Sequence, residues 1–164
     1  MTSKIDIRMI LEDHFSTFRD EGTQKYSTED FLIMAGVPAV LATAAFAFCL
    51  SIGDANIGTL ISVFAIFSGL LFNVLVLIYS FSDGNGDGKK GVRDRLLRQS
   101  FANISYTILV ALIAVVVLTA LLFVNGLTQR ILEAVVVLLS ANFVLSLLMV
   151  LKRIHVLLRD KFPT

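Results

Sequence analysis

Long uncharged stretches alternate with short charged ones along the chain, and the lengths of the uncharged stretches set its architecture. Four of them, at about 31–52, 57–81, 101–124 and 131–151, are continuously apolar. Each meets the ~20 residues that a helix needs to cross ~30 Å of hydrocarbon. None alternates apolar and polar positions as a barrel strand does, and in lipid a helix satisfies every backbone group within its own segment. The pattern predicts an all-α membrane protein with four transmembrane helices over 31–151, joined on one side by a loop at 82–100. Glu133 is the one ionisable residue inside a span, within a turn of its start. No signal peptide is expected, because the first apolar run begins at residue 31 behind an acidic segment.

The flanks carry weaker patterns. In residues 1–30, Ile7, Ile10, Leu11, His14 and Phe18 recur at helical spacing, and Ser3 with Asp6 forms a capping box. These predict an amphipathic cytoplasmic helix over about 3–20. Seven acids against four bases in residues 1–31 oppose its adsorption to anionic lipid, so it is expected to pack on the protein's own helices or on a partner. At the other end no stop signal precedes Phe162-Pro163. Span 4 should therefore continue as a helix of about 48 Å, carrying 152–164 into the cytoplasm as a basic tail. This tail and the acidic N-terminal helix either pair or remain solvated faces.

Charge sets the orientation. Of the 14 basic residues, Lys4, Arg8, Arg19 and Lys25 precede span 1, Lys89, Lys90, Arg93, Arg95 and Arg98 lie between spans 2 and 3, and Lys152, Arg153, Arg159 and Lys161 follow span 4. Only Arg130 falls on the other side. The excess of positive charge on cytoplasmic loops predicts a multi-pass protein of the cell inner membrane with both termini and the 82–100 loop inside. Composition agrees: 56% hydrophobic and 16% charged, where a soluble domain carries roughly 25% charged residues.

Composition also excludes chemistry. Cys49 is the single cysteine, so quinone-linked thiol oxidation lacks its pair. His14 and His155 lie outside the spans, where they are no axial ligands for a membrane haem. HExxH, Walker and GxSxG patterns are absent, and no acid lies deeper than Glu133, which disfavours proton antiport. No enzymatic activity and no cofactor are expected.

Three groups of residues remain as candidates. The first is DGNGDGKKGVRD at 83–94, which fits a calcium loop through Asp83, Asn85, Asp87, Gly88 and Asp94. Lys90 at the usual hydrophobic position, the short Asp94 and the paired lysines argue against it, and its glycines equally make a turn. The second is the basic cluster Lys89, Lys90, Arg93, Arg95 and Arg98, with Lys152 and Arg153 emerging at similar depth. It reads either as positive-inside charge near headgroups or, multiplied by subunit number, as a site for a nucleotide or DNA oligomer. The third is polar: Gly58, Ser62, Ala65, Gly69 and Asn73 form one row on span 2, with Asn103 and Asn142 on spans 3 and 4. Small-residue rows bring helices close, and buried amides pair across interfaces; the same groups could line a pore. Glu133 either pairs with Arg130 or forms a selectivity ring. Pro38 should kink span 1. The row on span 2 predicts a symmetric homo-oligomer in the lipid bilayer, a tetramer being favoured.

The run from Ser62 to Ile78, the basic loop and Phe101-Ala102-Asn103-Ile104-Ser105 resemble small four-span bacterial membrane proteins of anti-phage defence systems, namely the Hailong-type membrane effector and the Kiwa-type membrane subunit. The first resemblance implies an oligomeric channel held shut by a DNA oligomer. The second implies a membrane sensor that docks a soluble cytoplasmic partner. The sequence is compatible with both functions, an effector channel or a scaffold, and with a small-solute transporter behind them.

Overall fold

The structure is a computed structural model that describes residues 7–16, 32–82 and 90–161. Among the described residues every element is helical: α1 (Arg8–Ser16), α2 (Leu32–Ala47), α3 (Asp54–Ser82), α4 (Lys90–Leu121) and α5 (Leu127–Lys161). Three helices hold segments long and apolar enough to cross a bilayer, at Asp54–Ser80, Leu97–Leu121 and Leu127–Val156. The first expected span comes out shorter. α2 stops at Ala47, and its first turn, Leu32–Gly36, is π-helical.

Two local features explain those limits. Pro38 falls in the first α-helical turn after the π-helical one, where its missing N–H and fixed φ are best tolerated. The distortion expected from this proline therefore appears as the wide turn before it. At the far end the chain closes in a Schellman arrangement. Leu50 N–H reaches Ala45 O at 3.0 Å and Cys49 N–H reaches Phe46 O at 3.3 Å. Cys49 holds the left-handed position with φ of 51°, which ends the helix although the sequence stays apolar to Ile52.

The helices form an open ribbon in the order α3, α4, α5, α2. α4 packs along both α3 and α5, and α5 along α2, while α1 lies on α4. α2 and α3 do not pack along one another. Between them, over α5, opens an apolar cleft of about 490 Å³ bordered by Val37, Leu41, Leu60 and Val136. Side-chain spacing explains the rest. Among the buried positions of α4, Ser100, Ile104, Thr107, Ala111, Ala114, Leu118 and Leu121 follow steps of four and three residues that make a coiled-coil seam. α3 and α5 offer matching seams, Ile57, Phe64 and Leu71 on one, Val136, Phe143 and Val150 on the other. Phe143 meets Phe64 edge to face at 5.0 Å and Phe67 at 6.0 Å. In lipid this packing stabilises through close contact rather than water exclusion, which is why alanines sit at the centre of α4.

Candidate functional site

Exposed and half-buried hydroxyls come first, because most of them need no further partner. Thr43, Thr59, Ser62, Ser80, Thr119 and Ser140 each donate to a carbonyl four residues back, the internal solution open to Ser and Thr on a helix. An amide side chain has no comparable internal solution. The placement of the asparagines is therefore informative.

Asn103 and Asn142 turn into the helix bundle. His14, 2% exposed, gives its Nδ1–H to Asn103 Oδ1 at 2.9 Å. Its ring lies flat on Tyr106, with centroids 3.7 Å apart. Asn103 Nδ2 donates to Met149 Sδ at 3.0 Å. Tyr106 Oη donates to Asn142 Oδ1 at 2.9 Å, and Asn142 Nδ2 reaches Met34 O at 3.5 Å. One polar path thus runs from α1 through α4 and α5 to the first turn of α2. Burial, helped by the positive Arg153, holds the His14 imidazole down from an ordinary 6.5 to about 4, against the raising effect of its bond to Asn103.

Glu133 has another task. It is 4% exposed, and its Oε1 accepts Ile52 N–H at 3.1 Å, Ser51 Oγ at 3.4 Å and Gln129 Nε2 at 3.2 Å. The carboxylate ties the α2–α3 connection to the start of α5. Its donors come from that connection and from Gln129, not from the exposed Arg130. It is a clamp at the end of the bundle opposite α1.

The row on α3 points the other way. Gly58, Ser62, Ala65, Gly69 and Asn73 are all exposed. A Cβ added at Gly58 or Gly69 would meet nothing within 4 Å. Among the described residues the Asn73 amide has no hydrogen-bond partner. Of the six residues read from sequence as pore-lining or interhelical, Asn103, Asn142 and Glu133 are therefore used inside the bundle, while Ser62, Gly69 and Asn73 face away from it.

The basic cluster is placed in part. Asp83, Asn85, Asp87 and Lys89 lie outside the described residues. Lys90, Arg93, Asp94 and Arg95 fall on the first turns of α4. Arg98 is exposed, and the contacts from Asn103 to Met149 and from Tyr106 to Asn142 set an antiparallel register that brings Lys152, also exposed, level with it. Arg153 is half-buried, and its charge acts on His14.

Sequence reasoning placed His14 on an apolar face and missed its role as the anchor of α1. The signal was an imidazole at the centre of the face formed by Ile7, Ile10 and Leu11. No protein-family model, curated protein or solved structure matches the chain.

Proposed function

We propose that the chain is a four-span inner-membrane protein with both termini cytoplasmic, which assembles with copies of itself through the outward face of α3 into an ion-conducting channel. The observation that carries this reading is Asn73: an exposed amide without a partner, on a helix that crosses the bilayer, in line with Ser62 and two open glycines. Such a group in hydrocarbon is costly. A neighbouring subunit or a water-filled lumen removes that cost, and the small residues let another helix approach closely. α3 is also an edge of the ribbon, packed along α4 and meeting α5 through the rings of Phe64 and Phe67 on Phe143.

Gating belongs to the inner end. Arg98 and Lys152 share one level, and symmetry multiplies them into a positive ring suited to a phosphate-rich ligand such as an oligonucleotide. A role as an effector of anti-phage defence rests on the sequence resemblance alone.

Purified protein in planar bilayers should give discrete conductance steps, and Asn73→Leu should change or abolish them without altering protomer folding. Arg98→Gln with Lys152→Gln should remove the response to a short oligonucleotide. A wild-type protein that passes no ions across a range of protein-to-lipid ratios, with and without oligonucleotide, refutes the channel.

A further inference from the structure

α1 lies on α4 with a single side chain fully buried. His14 is its only buried residue, although Ile7, Leu11 and Phe15 flank it and remain exposed. The ring enters at Asn103, about 9 Å inside the apolar part of α4 that begins at Leu97. The α4–α5 interface behind it is polar. Ser100, Asn103 and Thr107 repeat on one face of α4 and are fully buried. The antiparallel register brings Asn142 and Ser146 of α5 against them. The Ser100 and Ser146 hydroxyls are buried without a hydrogen-bond partner, so water reaching this seam would find groups to bind.

Among the described residues, the titratable and charged groups facing the ring are Tyr106 of α4 and Arg153 of α5. On α1 itself Arg8, Glu12 and Asp13 are exposed. Burial of the ring disfavours its charged form and the nearby guanidinium repels it, while the bond to Asn103 acts in the opposite sense and is outweighed.

We propose that α1 is a detachable stopper: neutral His14 seals the polar seam between α4 and α5, and a positive charge on the ring expels α1 and admits water. This stands independently of the channel reading. Because docking holds the imidazole near 4 instead of 6.5, attachment is strongest above pH 6.5 and weakens as pH falls toward 4. Linkage makes the docking constant fall roughly 70-fold between pH 7.5 and 4.5.

The test is hydrogen–deuterium exchange of the full chain in lipid nanodiscs, read over 8–16 and over 100–107 and corrected for intrinsic rates. A helix of 9 residues does not persist alone in water, so detachment appears as lost protection. At pH 7.5 the wild type and His14→Gln, which keeps a neutral donor, should protect α1, while His14→Lys should lose at least tenfold. Between pH 7.5 and 4.5 the wild type should lose roughly 70-fold and His14→Gln less than threefold, with exchange at 100–107 rising alongside detachment. His14→Lys as protected as the wild type at pH 7.5 overturns the stopper, as does a wild-type change under threefold. The lysine variant decides the matter at constant pH even if the bundle itself loosens in acid.

Discussion

The amide of Asn142 lies 3.5 Å from the carbonyl of Met34, the carbonyl four residues before Pro38. Proline has no N–H to offer that oxygen, and a side chain from α5 approaches it. The contact pins the start of α2 to the one helix along which α2 packs. The same Asn142 accepts from Tyr106 of α4, so a single amide joins three helices at one level.

Removing that amide should loosen all three. Asn142→Leu is expected to cost about 1–2 kcal/mol, the upper range for interhelical polar contacts in membranes, measured by reversible unfolding in bicelles. Pro38→Ala supplies the missing N–H and makes the Asn142 contact redundant. In a double-mutant cycle, Asn142→Leu should therefore cost less in the Pro38→Ala background. Strict additivity of the two substitutions would show that the Met34 carbonyl is not what links them.

Glu133 yields a second prediction. Its Oε1 serves the Ile52 N–H, Ser51 and Gln129 together, so what matters is an acceptor at that point. Glu133→Gln should retain most of the stability. Glu133→Ala leaves donors unserved and should cost about 1–3 kcal/mol, with exchange at residues 50–53 rising first. Equal losses in the two variants would point to the charge instead of the acceptor.

How much of this was legible beforehand follows from the physics of each feature. Long apolar runs are set by bilayer thickness, so α3, α4 and α5 could be read directly. The end of α2 could not: it depends on Cys49 adopting a positive φ, and cysteine carries no turn signal. The spacing that places Ile104, Ala111, Ala114 and Leu118 in one seam is present in the sequence, yet uniformly apolar surroundings hide it. Asn73 and Asn103 are chemically alike, and only packing shows that one turns outward and the other meets His14. Burial of His14 itself depends on Tyr106, more than ninety positions away.

Cys49 invites a stabilising change. Its φ of 51° lies in the left-handed region, which costs an L-residue roughly 1–2 kcal/mol and glycine almost nothing. The side chain is exposed and contributes little packing. Cys49→Gly should raise the unfolding midpoint in detergent by a gain of about 0.5–1 kcal/mol. Cys49→Val, branched at Cβ, should lower it. A glycine variant less stable than the valine variant would contradict the Schellman reading of Leu50 and Ala45.

Gly69 separates folding from association. A side chain there meets no atom of the protomer within 4 Å, so Gly69→Leu should leave helical content and the unfolding midpoint unchanged. Its methyl groups would nevertheless stand in the path of any helix approaching along Ser62, Ala65 and Asn73, and close approach is what a small-residue face provides. The expected result is a shift from oligomer to monomer in native mass spectrometry and in cross-linking within vesicles. Gly58→Leu, on the same row and equally open, should act in the same direction, whereas Val63→Ala, off the row, should leave assembly intact. Because the protomer tolerates the leucine, a loss of oligomer cannot be blamed on misfolding. A wild-type protein that is monomeric in vesicles, or a Gly69→Leu protein that assembles as the wild type does, would remove the α3 face as the contact between subunits.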